Sequence, residues 1–267
     1  MMHAATFLFV PGDRPDRFTK ALSSGADCVI IDLEDAVQDK LKAQARQATL
    51  AADIDWARVA VRINDATSPH FEEDRQFLRV CSASTVVLPK AESPHTVAQV
   101  RAACARDVDV IVLIETARGL ASLPALLSTP GVRRAAFGHL DFALDLGCAT
   151  DWEALIFARS QMLFQSRLAG ALPPIDGVTT DYNNANAAAA DAAAARRLGF
   201  GGKLLIHPNQ IAPVASAFKP TTSEIAWAEN VIASSNGNSG AVALDGKMID
   251  KPVIQSAYRI LARANPI

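Results

Sequence analysis

Short apolar runs alternate with longer amphipathic stretches along most of the chain. Eight runs have the length and composition of buried strands, and we predict strands over residues 7–10, 28–33, 59–63, 86–90, 110–115, 135–138, 175–178 and 202–206. The stretches between them have helical periodicity, for example over residues 14–24, 38–52, 94–105, 152–169 and 186–198. Repeated βα units of this number predict an α/β fold, a (β/α)8 TIM barrel, rather than an open doubly wound sheet.

The last part of the chain has a different pattern. We predict a barrel over residues 1–220 and a helical extension over residues 221–267. A helix is expected over 223–233, followed by a Gly-, Ser- and Asn-rich stretch over 234–240, a composition typical of a hinge. A second helical pattern covers 241–263. We therefore interpret the extension as a short C-terminal helical lid.

Composition narrows the class of partner. The chain has 267 residues, half of them hydrophobic, which is enough for a full core, and a net charge of −2 without basic runs. We therefore expect a small-molecule substrate, with neither nucleic acid nor membrane as partner. Four cysteines without CxxC spacing, no signal-peptide pattern and no apolar segment of about 18 residues favour a cytoplasmic location.

Two acidic residues, Glu115 and Asp141, each close an apolar run, one βα unit apart. A buried acid is costly unless a cation meets it, and the carboxyl ends of barrel strands are where ligands bind. Magnesium prefers oxygen ligands and usually takes one or two carboxylates. Either acid alone is more typical of a salt bridge, but the pair favours a Mg²⁺ site, with Mn²⁺ as a substitute. HExxH and clustered Cys or His, the zinc patterns, do not occur.

An arginine, Arg62, ends the third predicted strand and would face the same mouth of the barrel. Its guanidinium could bind a substrate carboxylate or stabilise a developing oxyanion. It could also form an ion pair with Asp32, Glu34 or Asp35, which follow the second strand. Both interpretations can hold together, because such acids could orient the arginine.

Other polar residues near strand ends are further candidates. Lys90 closes the fourth strand, where nearby acids favour an electrostatic role over a Schiff base. Arg14 and Arg17 follow a Pro-Gly turn after the first strand, where they could bind a phosphate or carboxylate or simply face solvent. His139 and His207 could carry protons or only form hydrogen bonds.

These motifs, in this order, resemble the citrate lyase beta-subunit-like branch of the HpcH/HpaI aldolase and citrate lyase superfamily. The resemblance covers nearly the whole chain. It rests on Phe9-Val-Pro-Gly12 with Arg14-Pro15 and Arg17-Phe18, Asp32-Leu-Glu-Asp-Ala-Val37, Val61-Arg-Ile-Asn64, Leu88-Pro-Lys90, Ile114-Glu-Thr-Ala117, Gly138 with Asp141-Phe142, and Ile206-His-Pro208.

The resemblance implies roles for several of these residues. It implies that Glu115 and Asp141 are the Mg²⁺ ligands, and that Arg62 and Glu115 contact the substrate. Arg14 and Lys90 are further substrate-binding candidates because of their positions near strand ends. The resemblance also implies that the acids Asp32, Glu34 and Asp35 support the site from behind. Two positions depart from the family: Leu140 replaces a frequent Glu, and Asp13 stands where a small or neutral residue is common.

A segment near the C-terminus, Gly246-Lys-Met-Ile-Asp250-Lys-Pro252, resembles the lid sequence of malyl-CoA and citramalyl-CoA lyases. In those enzymes the equivalent aspartate enters a neighbouring subunit's site as an acid/base group, so Asp250 is a candidate catalytic residue. The alternative is a helix cap. A lid that acts on a neighbour implies a homo-oligomer, a trimer or hexamer by resemblance.

The expected activity is Mg²⁺-dependent carbon–carbon lysis. The substrate would be a β-hydroxyacyl thioester such as malyl-, citramalyl- or citryl-CoA, cleaved to or formed from an acyl thioester and a 2-oxo acid. CoA or an acyl-carrier protein could carry the thioester. The alternatives are a thioesterase, a CoA-independent metal aldolase of hydroxy-oxo acids, and a non-catalytic subunit of a larger lyase assembly.

Overall fold

The structure is a computed structural model that describes residues 4–235, 242–244 and 247–264. The chain divides into two compact units, Met1–Ala215 and Ser216–Ile267. The domain boundary expected after residue 220 stays a prediction. Within the described residues, no helix is long and apolar enough to cross a bilayer.

The first unit contains a closed barrel of eight parallel strands in sequence order, which confirms the predicted TIM barrel. The first strand pairs with both the second and the eighth, and this pairing closes the sheet. The strands are β1 Thr6–Pro11, β2 Cys28–Asp32, β3 Val59–Arg62, β4 Thr85–Leu88, β5 Asp109–Ile114, β6 Val132–Phe137, β7 Ile175–Asp176 and β8 Gly202–Leu205.

Helices alternate with these strands. They are α1 Phe18–Leu22, α2 Lys42–Leu50, α3 Phe71–Leu78, α4 Pro94–Ala103, α5 Ala117–Leu127, α6 His139–Leu146, α7 Ile156–Leu168, α8 Ala185–Leu198 and α9 Ile211–Phe218. The first two predicted helices start later than expected, because 3-10 turns over Pro15–Arg17 and Asp39–Leu41 precede them. Such turns are common at helix ends.

The barrel interior is filled by alternate strand residues, as the two-residue period of a strand requires. This inner cluster consists of Ala4, Phe7, Cys28, Ile30, Ala60, Val87, Ile111, Leu113, Ala136, Ile175 and Leu204. Because Ile175 and Leu204 face inward, their neighbours Asp176 and Lys203 face the surrounding helices. There Arg159 of α7 donates to Asp176 over 2.9 Å, and the Lys203 ammonium lies 3.7 Å from the same carboxylate.

The second unit contains two helices and a small sheet. The elements are α10 Thr222–Ser235, β9 Val242–Leu244, β10 Lys247–Ile249 and α11 Lys251–Ala264, and β9 and β10 pair antiparallel. The helical pattern expected over 241–263 is therefore wrong in its first part. Helix α11 starts only at Lys251, where Pro252 suits a first turn and Asp250 accepts a hydrogen bond from the Val253 N–H over 3.3 Å. Most of the predicted hinge over 234–240 lies outside the described residues.

Candidate active site at the carboxyl ends of the strands

The central acid of the mouth is Glu115, the first residue after β5, with only 3% of its surface exposed. Its Oε2 accepts the backbone N–H of Lys90 over 2.8 Å. Burial raises the pKa of Glu115 to about 7, against the opposing effects of Arg62 and the Lys90 N–H, and the nearby Asp141 carboxylate adds to the rise. Glu115 is thus a buried carboxylate whose charge a cation would stabilise.

Two backbone features shape the space around Glu115. Gly138, directly after β6, lies against the Glu115 side chain, and the space between them is too small for any side chain at position 138. Lys90, two residues after β4, has a φ of 42°, a left-handed conformation that few non-glycine residues adopt. The Lys90 peptide in this conformation is the one that donates to Glu115. The backbone segments that follow β4 and β6, on either side of β5, therefore fix the position of the Glu115 carboxylate.

The second acid, Asp141, is half-exposed and lies in the first turn of α6 rather than at the end of a strand, because β6 already ends at Phe137. Amide groups at a helix start favour a negative charge there. Its effect on the pKa of Glu115 places the two carboxylates within electrostatic reach of each other. Within the described residues, no group of three or more His, Cys, Asp or Glu side chains could hold a metal ion. Two oxygen donors, completed by water or substrate, are a normal set for Mg²⁺.

Arg62 is held by three acids. Its Nε and Nη2 donate to the two oxygens of Asp32 over 2.7 and 2.6 Å. Its Nη1 lies 2.9 Å from Glu34 Oε2 and donates to Asp35 over 3.3 Å. Burial alone would lower the pKa of Arg62, but these acids, Asp32 foremost, outweigh burial and raise it. The ion pair expected between Arg62 and the acids after the second strand is present, and it fixes the guanidinium as a permanent charge.

Asp32 also organises the turn that carries these acids. Its Oδ1 accepts the N–H of Glu34 over 2.9 Å, and its Oδ2 accepts that of Ala36 over 3.1 Å. Glu34 is buried, and its Oε2 is close to Arg62 but poorly aligned for a hydrogen bond. Burial raises the pKa of Glu34 to about 9 against the effect of Arg62. Burial therefore disfavours the charged form of Glu34, whereas the neighbouring Arg62 guanidinium favours it.

Lys90 contributes a cation to the same region. Its ammonium lies 3.7 Å from Glu34 and 3.8 Å from Asp65. Burial works to lower the pKa of Lys90, but Glu34 and Asp65 outweigh burial and raise it, so the amine stays charged. This supports an electrostatic role rather than a Schiff base. A cavity of about 470 Å³ opens beside these residues. The sequence reasoning did not select Asp65, although it directly follows a quoted motif.

The environments of three other candidates, Arg14, His207 and His139, differ from that of this cluster. Arg14 is exposed and donates two hydrogen bonds of 3.1 Å to Asp16. His207 uses Nδ1 to accept the Asn209 N–H over 3.1 Å, so it caps a turn. His139 is buried, and burial lowers its pKa to about 4, so the ring is neutral.

Asp250 belongs to the second unit, in the turn between β10 and α11. Its half-buried side chain caps α11 through the Val253 N–H, which is the alternative that the sequence left open. A cap leaves the second carboxylate oxygen available, so the two roles are compatible. Gly246, the first residue of the lid-like segment, lies outside the described residues.

Comparison with known proteins identifies a family and several relatives of this chain. The model of the HpcH/HpaI aldolase/citrate lyase family matches residues 5–208. A citrate lyase subunit beta-like protein of Mycobacterium tuberculosis is 36% identical over 97% of this chain and 94% of its own. A mitochondrial citramalyl-CoA lyase of Rattus norvegicus is 30% identical over 97% and 86%, and a (3S)-malyl-CoA thioesterase of Cereibacter sphaeroides is 28% identical over 97% and 94%.

A solved structure is similar over the same extent. The Mycobacterium tuberculosis protein CitE, in complex with magnesium, acetoacetate and coenzyme A, superimposes with a TM-score of 0.90 at 34% identity. The match covers 99% of both chains. The similarity therefore extends beyond the barrel strands to the whole length of the chain.

Proposed function

Because this chain belongs to the HpcH/HpaI aldolase/citrate lyase family, we propose that it is a Mg²⁺-dependent carbon–carbon lyase of β-hydroxyacyl-CoA thioesters. It cleaves or forms a substrate such as malyl-, citramalyl- or citryl-CoA, with an acyl thioester and a 2-oxo acid as the products of cleavage. The observation that carries this proposal is the buried carboxylate of Glu115, fixed through one oxygen and placed within electrostatic reach of Asp141.

Glu115 and Asp141 are the residues that hold Mg²⁺, and Mn²⁺ is the candidate substitute. The Lys90 N–H holds Oε2 of Glu115 in place, and the carboxylate would keep further lone pairs for coordination of the cation. When bound, the cation orients the hydroxyl and carboxylate oxygens of the substrate and withdraws electron density from them. Because burial disfavours the charge of the Glu115 carboxylate, a bound cation would favour that charge and oppose the rise in its pKa.

Arg62 stabilises the negative charge that develops on the thioester oxygen. As the carbon–carbon bond breaks, its electron pair becomes part of an enolate of the acyl thioester, and a fixed guanidinium requires little reorganisation to meet that charge. Two-point contact with Asp32 provides this rigidity. Lys90 contributes a second positive charge beside the cavity, and Arg14 is the candidate for an anionic group of the thioester carrier.

Asp250 is the proposed acid/base group. In cleavage the substrate hydroxyl loses its proton to water as its oxygen becomes the carbonyl oxygen of the 2-oxo acid, and the carboxyl proton of Asp250 goes to the enolate carbon. In condensation the Asp250 carboxylate removes a proton from that carbon, and the new alkoxide takes a proton from water. The support for this role is the likeness of residues 246–252 to lid sequences. The same likeness supports a lid that acts across subunits of a homo-oligomer, a trimer or hexamer, and cysteine usage supports a cytoplasmic location.

The test is a substrate panel with separate detection of both products. Purified protein and Mg²⁺ are incubated with malyl-, methylmalyl-, citramalyl- and citryl-CoA, and release of 2-oxo acid and of free CoA is followed. We expect a 2-oxo acid together with an acyl-CoA, lost in Glu115→Ala and reduced in Asp250→Asn. The exposed Glu72→Ala is the matched control and keeps wild-type turnover. No product from any substrate while metal still binds would overturn the proposal.

A thioesterase is the second candidate, and the observation that favours it is the malyl-CoA thioesterase among the relatives. In that reaction water attacks the thioester carbonyl, and Arg62 would stabilise the resulting oxyanion instead of an enolate. Free CoA released without a 2-oxo acid would identify this activity in the same assay. Both functions would use the same site, so the assay distinguishes them by the products that are released.

A further inference from the structure

A second cavity lies at the opposite pole of the barrel from the candidate active site. Its volume is about 350 Å³, and it is lined by the first residues of β4, β5 and β6, by Phe7 of β1 and by residues 169–172 after α7. These positions are the amino ends of the strands, whereas Glu115 and Arg62 lie at the carboxyl ends. None of the proposed catalytic groups lines this cavity.

The cavity is bordered by a buried arginine, Arg134, with only 4% of its surface exposed. Its Nε donates to the carbonyl of Pro173 over 2.5 Å, and its Nη1 donates to that of Ala4 over 2.9 Å. Its guanidinium also lies over the ring of Phe7, 5.2 Å from the centroid. These contacts satisfy hydrogen bonds without supplying a negative charge.

Arg134 differs in this respect from the other buried arginines. Arg62 and Arg159 each contact a carboxylate within 2.9 Å. Arg134 forms no ion pair with any acid in the part of the chain that the structure describes, and burial lowers its pKa to about 10. A buried cation without a counterion is unfavourable, and an anion in the adjoining cavity would relieve this.

Two glycines, Gly201 and Gly202, lie beside the Nη2 nitrogen of Arg134 and bring no side chain of their own against it. A Cβ on Gly201 would lie 2.8 Å from Nη2, and one on Gly202 would lie 3.1 Å from it. Any residue larger than glycine would therefore crowd this nitrogen. The hydrogen bonds to Pro173 and Ala4 use the Nε N–H and one N–H of Nη1, so the other N–H of Nη1 and both N–H groups of Nη2 are the donors that remain for a ligand.

The rest of the lining indicates the chemistry of the ligand. Arg133 and Asp109 line the cavity too, but they pair with each other over 2.9 Å, which leaves Arg134 as the uncompensated charge. The remaining wall is mostly apolar and comes from Phe7, Ile111, Leu127, Val132, Ala171 and Leu172. A planar carboxylate matches a guanidinium, and a short hydrocarbon chain matches an apolar wall of this size.

We propose that this cavity is a second binding site, in which Arg134 binds the carboxylate of a short-chain aliphatic acid and the apolar wall holds its chain. The site is independent of the lyase chemistry at the other pole. It gives the protein a means to respond to the concentration of a small organic acid, because a ligand that binds only the folded state stabilises it.

The experiment uses butyrate as the probe and its neutral isostere butyramide as the control, at constant ionic strength. Thermal unfolding of the full chain is followed across a titration, and binding is measured directly by calorimetry. We expect a saturable rise in Tm of about 3 °C at tenfold the Kd, with no effect of butyramide. The rise persists in Glu115→Ala, because the mouth of the barrel is not involved.

Variants at the second pole test the assignment. Arg134→Met loses the response, whereas Arg133→Met, which removes the neighbouring paired arginine, keeps it. Ala171→Leu fills the cavity, leaves Arg134 in place and also loses the response, so the test stands even where Arg134→Met fails to fold. An unsaturable response in the wild type, an equal response to butyramide, or an unchanged response in Ala171→Leu would each overturn the proposal.

Discussion

The Glu115 carboxylate occupies space that exists only because residue 138 is glycine. A Cβ on Gly138 would lie 2.4 Å from Cγ and 2.5 Å from Oε1 of Glu115. Real side chains do not approach so closely, so one of the two must move. The residue after β6 therefore determines where the proposed metal ligand after β5 can lie.

Gly138→Ala tests this relationship. The added methyl group would push Glu115 away from its position, at a cost of about 1–3 kcal/mol in stability if the backbone resists. We expect Mn²⁺ affinity to fall about 10–100-fold, as for other changes that misplace a metal ligand. Calorimetric titration with Mn²⁺ measures the effect independently of turnover.

A residue without Cγ provides the control for Gly138→Ala. Glu115→Ala removes the Cγ and Oε1 atoms that a Cβ at position 138 would meet, so Gly138→Ala should cost less stability in the Glu115→Ala background than in the wild type. Such non-additivity is expected only for residues in contact. Strictly additive effects would show that Gly138 acts elsewhere.

Arg62→Lys should impair the enzyme although the charge is kept. A lysine cannot reproduce the two-point contact with Asp32, so we expect a loss of about 1–3 kcal/mol in stability and of about 100-fold in kcat. Urea unfolding and steady-state kinetics measure the two effects. Arg58→Lys is the control, since Arg58 precedes the same strand and donates to backbone carbonyls, and it should change stability by less than about 0.5 kcal/mol. Wild-type turnover in Arg62→Lys would contradict the role given to the guanidinium.

Glu34 should make the protein less stable as the pH rises. Its pKa is about 9 in the folded state against 4.5 as its ordinary value, so the folded state binds the extra proton between these pH values. Its stabilising contribution is complete below about pH 4.5 and is lost as the pH rises through about 9, with a slope of at most about 1.4 kcal/mol per pH unit. Urea unfolding between pH 5 and pH 9 should show a weaker dependence in Glu34→Gln. The exposed Glu72→Gln should leave the dependence unchanged.

Two carboxylates with the same hydrogen-bond length should differ in their effect on stability. Asp176 and Asp109 each accept an arginine Nε–H over 2.9 Å, but their side chains are 1% and 50% exposed. Asp176→Ala removes the carboxylate that Arg159 contacts and leaves Lys203 with only the more exposed Asp191, 4.0 Å away, so we expect a loss of about 3–5 kcal/mol. Asp109→Ala should cost about 0–1 kcal/mol. If urea unfolding showed that Asp176→Ala and Asp109→Ala lower the free energy of unfolding equally, burial would not determine the effect of these ion pairs.

The barrel could be predicted from the sequence because its signal is local. Each strand is a short apolar run such as Val59–Arg62, and the pattern repeats between helices. The small sheet before α11 was missed for the same reason, since a three-residue strand such as Lys247–Ile249 is too short for its period to be distinguished from that of a helix. Pro252 would have marked the start of the helix.

The site was only partly predictable. Acids and bases at strand ends are visible as residue types, so the contacts between Arg62 and Asp32 could be anticipated. The space at Gly138 and the missing counterion of Arg134 could not, because both depend on which side chain of a neighbouring strand faces the residue. Asp141 shows the limit most clearly: its place in α6 depends on where β6 ends, and strand ends are what sequence patterns locate least well.

Asp32 accepts four hydrogen bonds, two from Arg62 and two from the turn over residues 34–36. For protein engineering, this makes the loop after β2 and the end of β3 one transferable module. A loop grafted from a relative to change substrate preference must bring its own acid in register with Arg62, or the arginine loses its support. Crossover points for chimaeras between family members therefore belong outside residues 32–62.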